Sequence, residues 1–370
     1  MNSPFRSTTP PEVLIVGGSL AGLLTAHTLA EVGVASTVLE RAAKHRPSGA
    51  ALAVDERQLL DALGPDRAKA ALGRPPLRRG APLAEAWSQL YRGLRDAAAE
   101  DPQITMRHNS PVTRVEQDAT RAHVTVGGSE TLTADAIIGA DGYRSIVRRE
   151  VNPGNADATF AGYALWLGTA DEADLPPQHP WPTSLDFHSA GGGHLLGYPL
   201  AGGGDDGTEP GERRLGWAWY DATRNELLRS TGSVRGSTVR HSLRPDSIPD
   251  AVYNELAQEA RRLWPAPWRN AILDSIARQA VVGTPISEYV PDRLARKRLA
   301  LIGDAAHGAT PMTGRGFATA VDDAVALAAT LGTSSPEAVA TALAAYASAR
   351  LAPARDLVRA GQRFSRGFGT

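Results

Sequence analysis

Cysteine is missing from all 370 residues. That excludes a disulfide framework, a thiolate metal site and a redox-active thiol. An excess of one charge is missing too. The 39 basic and 40 acidic residues leave a formal net charge of −1, so nothing in the balance points to nucleic acid or an anionic membrane. No stretch approaches the ~20 apolar residues of a membrane span. Met1–Pro11 is polar and proline-containing, without the apolar core of a secretion signal, so the expected location is the cytoplasm. The 9 histidines are scattered without ligand spacing, and no metal is implied. What remains is ordinary for a soluble globular chain, at 42% hydrophobic and 21% charged residues. At this length, two domains sharing a cleft are expected.

Against this plain background two stretches stand out. Glu12–Glu40 begins with the apolar run Val13-Leu14-Ile15-Val16 and turns through Gly17-Gly18-Ser19-Leu20-Ala21-Gly22. It continues as a helix over Leu23–Val32 and ends with a second strand, Ser36–Leu39, followed by Glu40-Arg41. This is the pattern of a dinucleotide site. Glycines let the backbone approach a pyrophosphate at a helix N-terminus, and an acid about 20 residues on holds ribose hydroxyls. A glycine turn alone says little; the strand before it, the helix after it and Glu40 make it specific. Ser19 stands where a second glycine is usual, and its N–H and hydroxyl both suit a phosphate.

The second stretch, residues 299–323, is again strand, loop and helix. Leu299–Ile302 reads as a buried strand ending at Gly303-Asp304. A loop with Pro311, Gly314 and Gly316 leads into an apolar helix, Phe317–Leu331.

Between these units the chain changes texture. Ala51–Val54 reads as a strand, Glu56–Leu63 as a helix, residues 73–82 as a crossing and Leu83–Glu100 as a helix. Ile104–Met106, Val112–Val115 and His123–Val126 alternate like antiparallel strands, and Ala136–Ile138 is a buried strand ending at Gly139-Ala140-Asp141-Gly142. Short strands rich in aromatics and histidine then alternate with turns: Tyr163–Gly168, Ser184–His188, His194–Pro199 and Leu215–Tyr220. The glycine clusters 191–193 and 202–204 neither follow a strand nor open a helix, and read as hairpin loops. Helices are expected at Asp250–Trp264 and Pro267–Ala277, with an Ala-rich helical pair over Pro336–Phe364.

Three motifs therefore stand in a set order: Gly17–Gly22, Asp141-Gly142-Tyr143-Arg144-Ser145 with Arg148, and Gly303-Asp304 with Pro311 and Gly314/Gly316. Together they resemble the FAD-dependent aromatic hydroxylases, single-component flavoprotein monooxygenases of the para-hydroxybenzoate hydroxylase fold. The resemblance spans about residues 12–330. Within that family, Gly193–Pro199 and Glu212–Tyr220 are similar to the 2,6-dihydroxypyridine 3-hydroxylase branch, which more usually has asparagine at the position of Gly216. The resemblance implies an α/β architecture with a Rossmann-like FAD-binding domain of the GR2 type. That domain is expected in three parts, residues 1–72, 101–157 and 281–332. A crossing and helix (73–100), an inserted β-rich substrate domain (158–280) and C-terminal helices (333–370) complete it.

It also implies residue roles. Gly17, Gly18, Ser19, Leu20, Ala21 and Gly22 would cradle the FAD pyrophosphate and Glu40 the adenosine ribose. Arg41 and Arg46 would lie near the phosphates and Val112 against adenine. Asp141 belongs to the motif linked with both FAD and the nicotinamide cofactor, and Asp304 would hold the ribityl chain. Pro311, Gly314, Arg315, Gly316 and Phe317 would meet the isoalloxazine, with Arg315 where the family often has glutamine.

Physical chemistry supports the last assignment independently. A reduced flavin becomes anionic at its pyrimidine edge, and the free N–H groups of Gly314–Phe317, at a helix start, are suited to that charge. The substrate is expected between the α/β half and the inserted sheet. His188, His194, Tyr198, Trp217, Trp219 and Tyr220 all lie on that sheet, and alternation turns half of them away. His194 and Tyr198 share a face, as do Trp217 and Trp219. A histidine or tyrosine there could take the proton of a phenol or hydroxypyridine, although packing is the commoner fate of such residues. His194, Tyr198 and His307 are the catalytic candidates, with His307 expected to line the flavin site. Ser145 has no histidine or acid context and is a motif hydroxyl.

The reaction implied is hydroxylation of an electron-rich aromatic or N-heteroaromatic ring. It uses FAD held tightly without a covalent bond, transient NADH or NADPH, and dioxygen by way of a flavin hydroperoxide. A flavin oxidase or reductase on the same fold and a non-catalytic flavin-fold binding protein are the rivals. The oligomeric state stays open, a homodimer included.

Overall fold

Apolar runs and alternating runs build two different sheets in this chain. The computed structural model describes residues 9–43, 51–73, 83–177, 180–200 and 211–368. In chain order the first half contains β1 (Val13–Val16), α1 (Leu20–Glu31), β2 (Ser36–Leu39), β3 (Ala51–Val54), α2 (Glu56–Leu72), β4 (Leu83–Ala86) and α3 (Trp87–Glu100). Then come β5 (Ile104–Arg107), β6 (Val112–Gln117), β7 (Ala122–Val126), β8 (Glu130–Ala134), β9 (Ala136–Gly139) and α4 (Val147–Val151). The inserted part holds β10 (Thr159–Asp171), β11 (Asp186–Ala190), β12 (Gly193–Leu200), β13 (Arg214–Asp221), α5 (Asn225–Ser230), β14 (Val234–Arg235), β15 (Thr238–Val239), α6 (Asp250–Leu263), α7 (Trp268–Ala277) and β16 (Val282–Glu288). The chain returns through β17 (Ala295–Arg296), β18 (Leu299–Leu301), α8 (Asp304–His307), α9 (Gly316–Leu331) and α10 (Val339–Gly367).

The first sheet has the order β17-β18-β9-β1-β2-β5. Its pairings from β18 through to β5 are all parallel, and only the short β17 is antiparallel. All four residues of β1 and of β9 are buried, as a parallel strand covered on both faces requires. Helix α1 is buried on nearly every side and packs against α3 and α9; an apolar surface all round suits that central place. The β6-β7-β8 sheet hangs beside this layer, and β3 pairs with β4.

The second sheet, β11-β12-β13-β10-β16, is wholly antiparallel. One face is covered by α6 and α7, with Trp166, Trp217, Trp219, Trp264 and Trp268 in the core between. The other face carries Tyr163, Leu165, Tyr198, Ala218, Tyr220 and Ile286 and looks toward the first sheet.

Several sequence expectations change. Leu83–Glu100 is not one helix, because Leu83–Ala86 pairs with β3 and the helix starts at Trp87. The helix from Glu56 runs on to Leu72 beyond a non-helical Gly64 (φ 72°), where Pro65 restarts it. Pro336–Phe364 holds no helical pair. One 29-residue helix passes through Pro353, because buried residues from Val339 to Ser365 hold both sides of that proline in line. The inserted sheet also extends to Glu288, past the expected limit at residue 280, because β16 pairs with β10.

Candidate functional site

Four loops meet where the parallel strands end. Val16 is level with Leu39 and Gly139, and Gly139 with Leu301. The segments after them, Gly17–Ala21, Glu40, Asp141 and Gly303-Asp304, therefore lie side by side at the carboxyl edge, where open α/β sheets bind ligands. A cavity of about 2360 Å³ opens there and continues to the inner face of the second sheet. That is more than twice the usual upper volume of about 1,000 Å³ for a small-molecule site. The space suits an elongated cofactor and a second ligand.

Glycine is enforced in the first turn. Gly17 has φ 105° and a Cβ there would sit 2.4 Å from the Ala140 carbonyl oxygen. A Cβ on Gly22 would sit 1.9 Å from the Gly17 carbonyl oxygen, so the helix can close on the turn only without a side chain. Ser19 is exposed at the N-cap of α1, with no side-chain capping bond, and its hydroxyl faces no competing partner of that kind. The Glu40 carboxylate accepts the Gly18 N–H at 2.9 Å and the Ala42 N–H at 2.7 Å, which ties the turn to the end of β2. Gly17, Gly18, Ser19, Leu20, Ala21, Glu40, Arg41, Val112, Asp141 and Asp304 all line the cavity. Gly22 lies behind the turn, and Arg46 is outside the described residues.

Two carboxylates are unusual. Asp141 accepts the Ile146 N–H at 2.7 Å through Oδ2, while Oδ1 is buried without a partner. Burial pushes its pKa up, against the hydrogen bonds with Ser145, Ile146 and Val147. Asp304 is open to the cavity yet walled in by protein on its other sides, and that enclosure raises its pKa against the pull of His307 and Arg148. Asp304 is the polar end that a hydroxyl-rich ligand in the cavity would satisfy.

Arg148 fastens the two loops together. Its buried guanidinium donates to the carbonyls of Ala156 (2.6 Å), Ala305 (3.1 Å) and Tyr143, and lies 4.1 Å from the centre of the Tyr289 ring. Pro311, Thr313, Gly314, Gly316 and Phe317 line the cavity at the start of α9, whereas Arg315 is exposed and outside the lining. No charge from that arginine side chain forms part of the cavity wall.

The catalytic candidates fare differently. His307 does not line the cavity. It is buried beneath it, with Nε2 2.6 Å from Asp323 Oδ2, and the other Asp323 oxygen accepts Arg350 Nε at 2.9 Å. Burial would lower the His307 pKa, but the Asp323 carboxylate outweighs it and raises it. The same pairing, with Arg350, holds Asp323 below the ordinary carboxylate value despite its burial. His194 also lies outside the lining, stacked between Phe187 and Phe368 with Nδ1 2.8 Å from Ser189 Oγ. Tyr198 does line the cavity, but burial pushes its phenol to about 12 against a backbone hydrogen bond from Ala51. At that raised value the phenol keeps its proton at neutral pH, which disfavours it as a base. Trp217, Trp219 and His188 point to the helix-covered face, while Tyr220 shares the cavity face.

Among the cavity groups that reading the sequence missed are His241, Ser242 and Thr284, the last two with hydroxyls 3.3 Å apart. No motif or period marks them. Gly216 lies under the Tyr198 ring.

A glycine turn at a helix start, an acid on the next strand and an Asp-ended third loop around one elongated cavity define a dinucleotide-cofactor protein of the flavoprotein class. Comparison with known proteins agrees. Residues 11–84, 81–188 and 237–361 match the FAD binding domain family, and 160–281 match a FAD binding domain-like family. The chain belongs to this FAD-binding family. It is similar to a 2,6-dihydroxypyridine 3-monooxygenase of Paenarthrobacter nicotinovorans (25% identity; 87% of this chain and 83% of the relative). It is also similar to an FAD-dependent urate hydroxylase of Mycolicibacterium vanbaalenii (28%; 94% and 86%). The solved 2,6-dihydroxypyridine-3-hydroxylase of Arthrobacter nicotinovorans shares its fold, with a TM-score of 0.76 at 22% identity over 98% of this chain and 94% of that one. Among the described residues no helix is long and apolar enough to cross a membrane, and no cluster of metal-ligating side chains occurs.

Proposed function

We propose that this chain is an NAD(P)H- and FAD-dependent monooxygenase that hydroxylates an electron-rich aromatic or N-heteroaromatic ring. The observation that carries the reading is the single cavity running from the Gly17–Ala21 turn to the Tyr198 and Tyr220 face. Relatives that hydroxylate a dihydroxypyridine and urate support the substrate class. When bound, FAD supplies the two-electron chemistry that links NAD(P)H to dioxygen.

The chain's own groups divide the work by position. The backbone N–H groups of Ser19–Ala21 would bind the pyrophosphate at the start of α1, in a turn that the Gly18 N–H fastens to Glu40. Glu40 takes the adenosine ribose, with Arg41 and Val112 alongside, and Asp304 takes the ribityl chain. Asp141 stands at the cavity wall beside the glycine turn, where its loop would meet the cofactor. The N–H groups of Gly316 and Phe317, in the first turn of α9, would stabilise negative charge at the cofactor's pyrimidine edge, whereas the Gly314 N–H is given to the Pro311 carbonyl. On the substrate side the Tyr220 phenol, also raised by burial, donates a hydrogen bond to the substrate's ring oxygen. His241 is the cavity's ring nitrogen suited to accept that oxygen's proton. Leu165, Leu167, Ala218 and Ile286 keep water from the ring. This reading implies work in the cytoplasm, where NAD(P)H would be supplied.

The test is a purified yellow protein offered NAD(P)H, labelled dioxygen and a panel of phenols and hydroxypyridines. Label in the organic product supports the reading. Label confined to peroxide identifies an oxidase, and a colourless protein without aromatic-stimulated NAD(P)H consumption identifies a binding protein.

A further inference from the structure

Four glycines of the antiparallel sheet each carry an aromatic ring. Across paired strands Gly168 faces Trp217, Gly283 faces Trp166 and Gly216 faces Tyr198; Gly197 takes Trp268 from α7. A Cβ would meet these rings at 2.6, 2.5, 2.1 and 2.3 Å respectively. Glycine inside a strand weakens it, and a neighbouring aromatic that fills the vacant place recovers part of that loss. Three of the rings are tryptophans on the face packed under α6 and α7, where the device is simply core packing. The fourth stands on the opposite face. Tyr198 lines the cavity, while Gly216 beneath it does not.

We propose that Gly216 is a specificity-determining position. By leaving its face bare it lets Tyr198 lie flat on β13, and this sets the room above Ala218 and Tyr220 for the substrate ring. The identity of that ring rests on the proposed hydroxylation; the geometry does not. Atoms Cε2, Cδ2 and Cζ of Tyr198 all fall within 2.9 Å of the point where a Cβ on residue 216 would stand. A methyl group there must push the whole ring, not its flexible end. Behind the ring stands the sheet, so the ring moves outward into the cavity. Its hydroxyl then leaves Ala51 in β3, and the contact between β12 and the β3–β4 pair loosens. A large substrate loses its place before a small one does.

The test uses FAD-loaded Gly216→Ala, Tyr198→Ala and the double variant. Crystal structures give the ring position, and titrations followed by flavin absorption give affinities for 2,6-dihydroxypyridine and the bicyclic 2,4-dihydroxyquinoline. In Gly216→Ala the Tyr198 ring should stand in the cavity with FAD content unchanged, and the bicyclic probe should lose about tenfold more affinity than the monocyclic one. The double variant should restore the bicyclic probe, and Tyr198→Ala alone, which leaves the glycine intact, should favour it over wild type. An unmoved ring in Gly216→Ala, equal losses for both probes, or a double variant as poor as the single one overturns the assignment. Should neither probe bind wild type, the hydroxylation reading loses support, while the ring position still decides the role of Gly216.

Discussion

Gly22 has no freedom to be anything else, because the Gly17 carbonyl oxygen already occupies the place of its Cβ. Gly22→Ala should shift the turn, empty the protein of flavin and cost about 1–3 kcal/mol as an overpacked site. Flavin absorbance after gel filtration and a thermal melt measure both effects; a yellow variant melting with wild type would refute the steric requirement. This residue was legible in the sequence, since helix, strand and acid stood at their required distances from it. Asp141 and Asp304 were legible for the same reason. Tyr198 was legible only as a ring on a sheet. Its proton affinity depends on burial beside Ala51, which lies far away along the chain, and no local pattern encodes that.

Elements are held in place by two buried polar anchors. Arg148 joins α4 to the Asp141 loop and to α8 through the carbonyls of Tyr143, Ala156, Asp304 and Ala305. Arg148→Met should strand those acceptors and lower stability by on the order of 3 kcal/mol, read by urea unfolding. Arg148→Lys should recover little, because an ammonium lacks the planar fork. The second anchor is His307–Asp323–Arg350, which links α8, α9 and α10; Asp323 also accepts the Gly303 N–H at 3.3 Å, beside Asp304. His307 has a raised pKa, so its contribution is complete below about 6.5 and fades as pH rises through the raised value. Asp323 has a lowered pKa, so its contribution is present above about 3.9 and fades as pH falls through the lowered value. The melting difference between wild type and His307→Gln should therefore peak between about pH 4 and 6.5 and shrink toward pH 9. A difference flat with pH would show that the pair carries no charge. His307 and Asp323 stand 16 residues apart, with a loop between them, so no helical period links them in the sequence.

Across the whole molecule, α10 unites the halves. Arg350 reaches the first sheet's helices, while Ser365 donates to Glu288 at 2.6 Å and lies 3.3 Å from the Tyr163 hydroxyl on the second sheet. Phe364 and Phe368 pack on Tyr163 and Tyr220. The cavity is shared by both halves, so its ligand stabilises the assembly rather than one lobe. Saturation with FAD at 100 times its Kd should add about 2.7 kcal/mol, seen as a higher melting temperature that rises further with FAD concentration. An unchanged melt after FAD removal would contradict a cofactor held between these loops. The sequence by itself determined the parallel sheet, its glycine turn and the order of the three motifs, because each is a local spacing of backbone-forming residues. Only the tertiary structure decided which sheet side chains face the cavity, that His307 and His194 stand away from it, and how far burial raises the Tyr198 phenol. Those outcomes depend on burial and on partners far apart in the chain, and a residue's own neighbours do not set its dielectric surroundings.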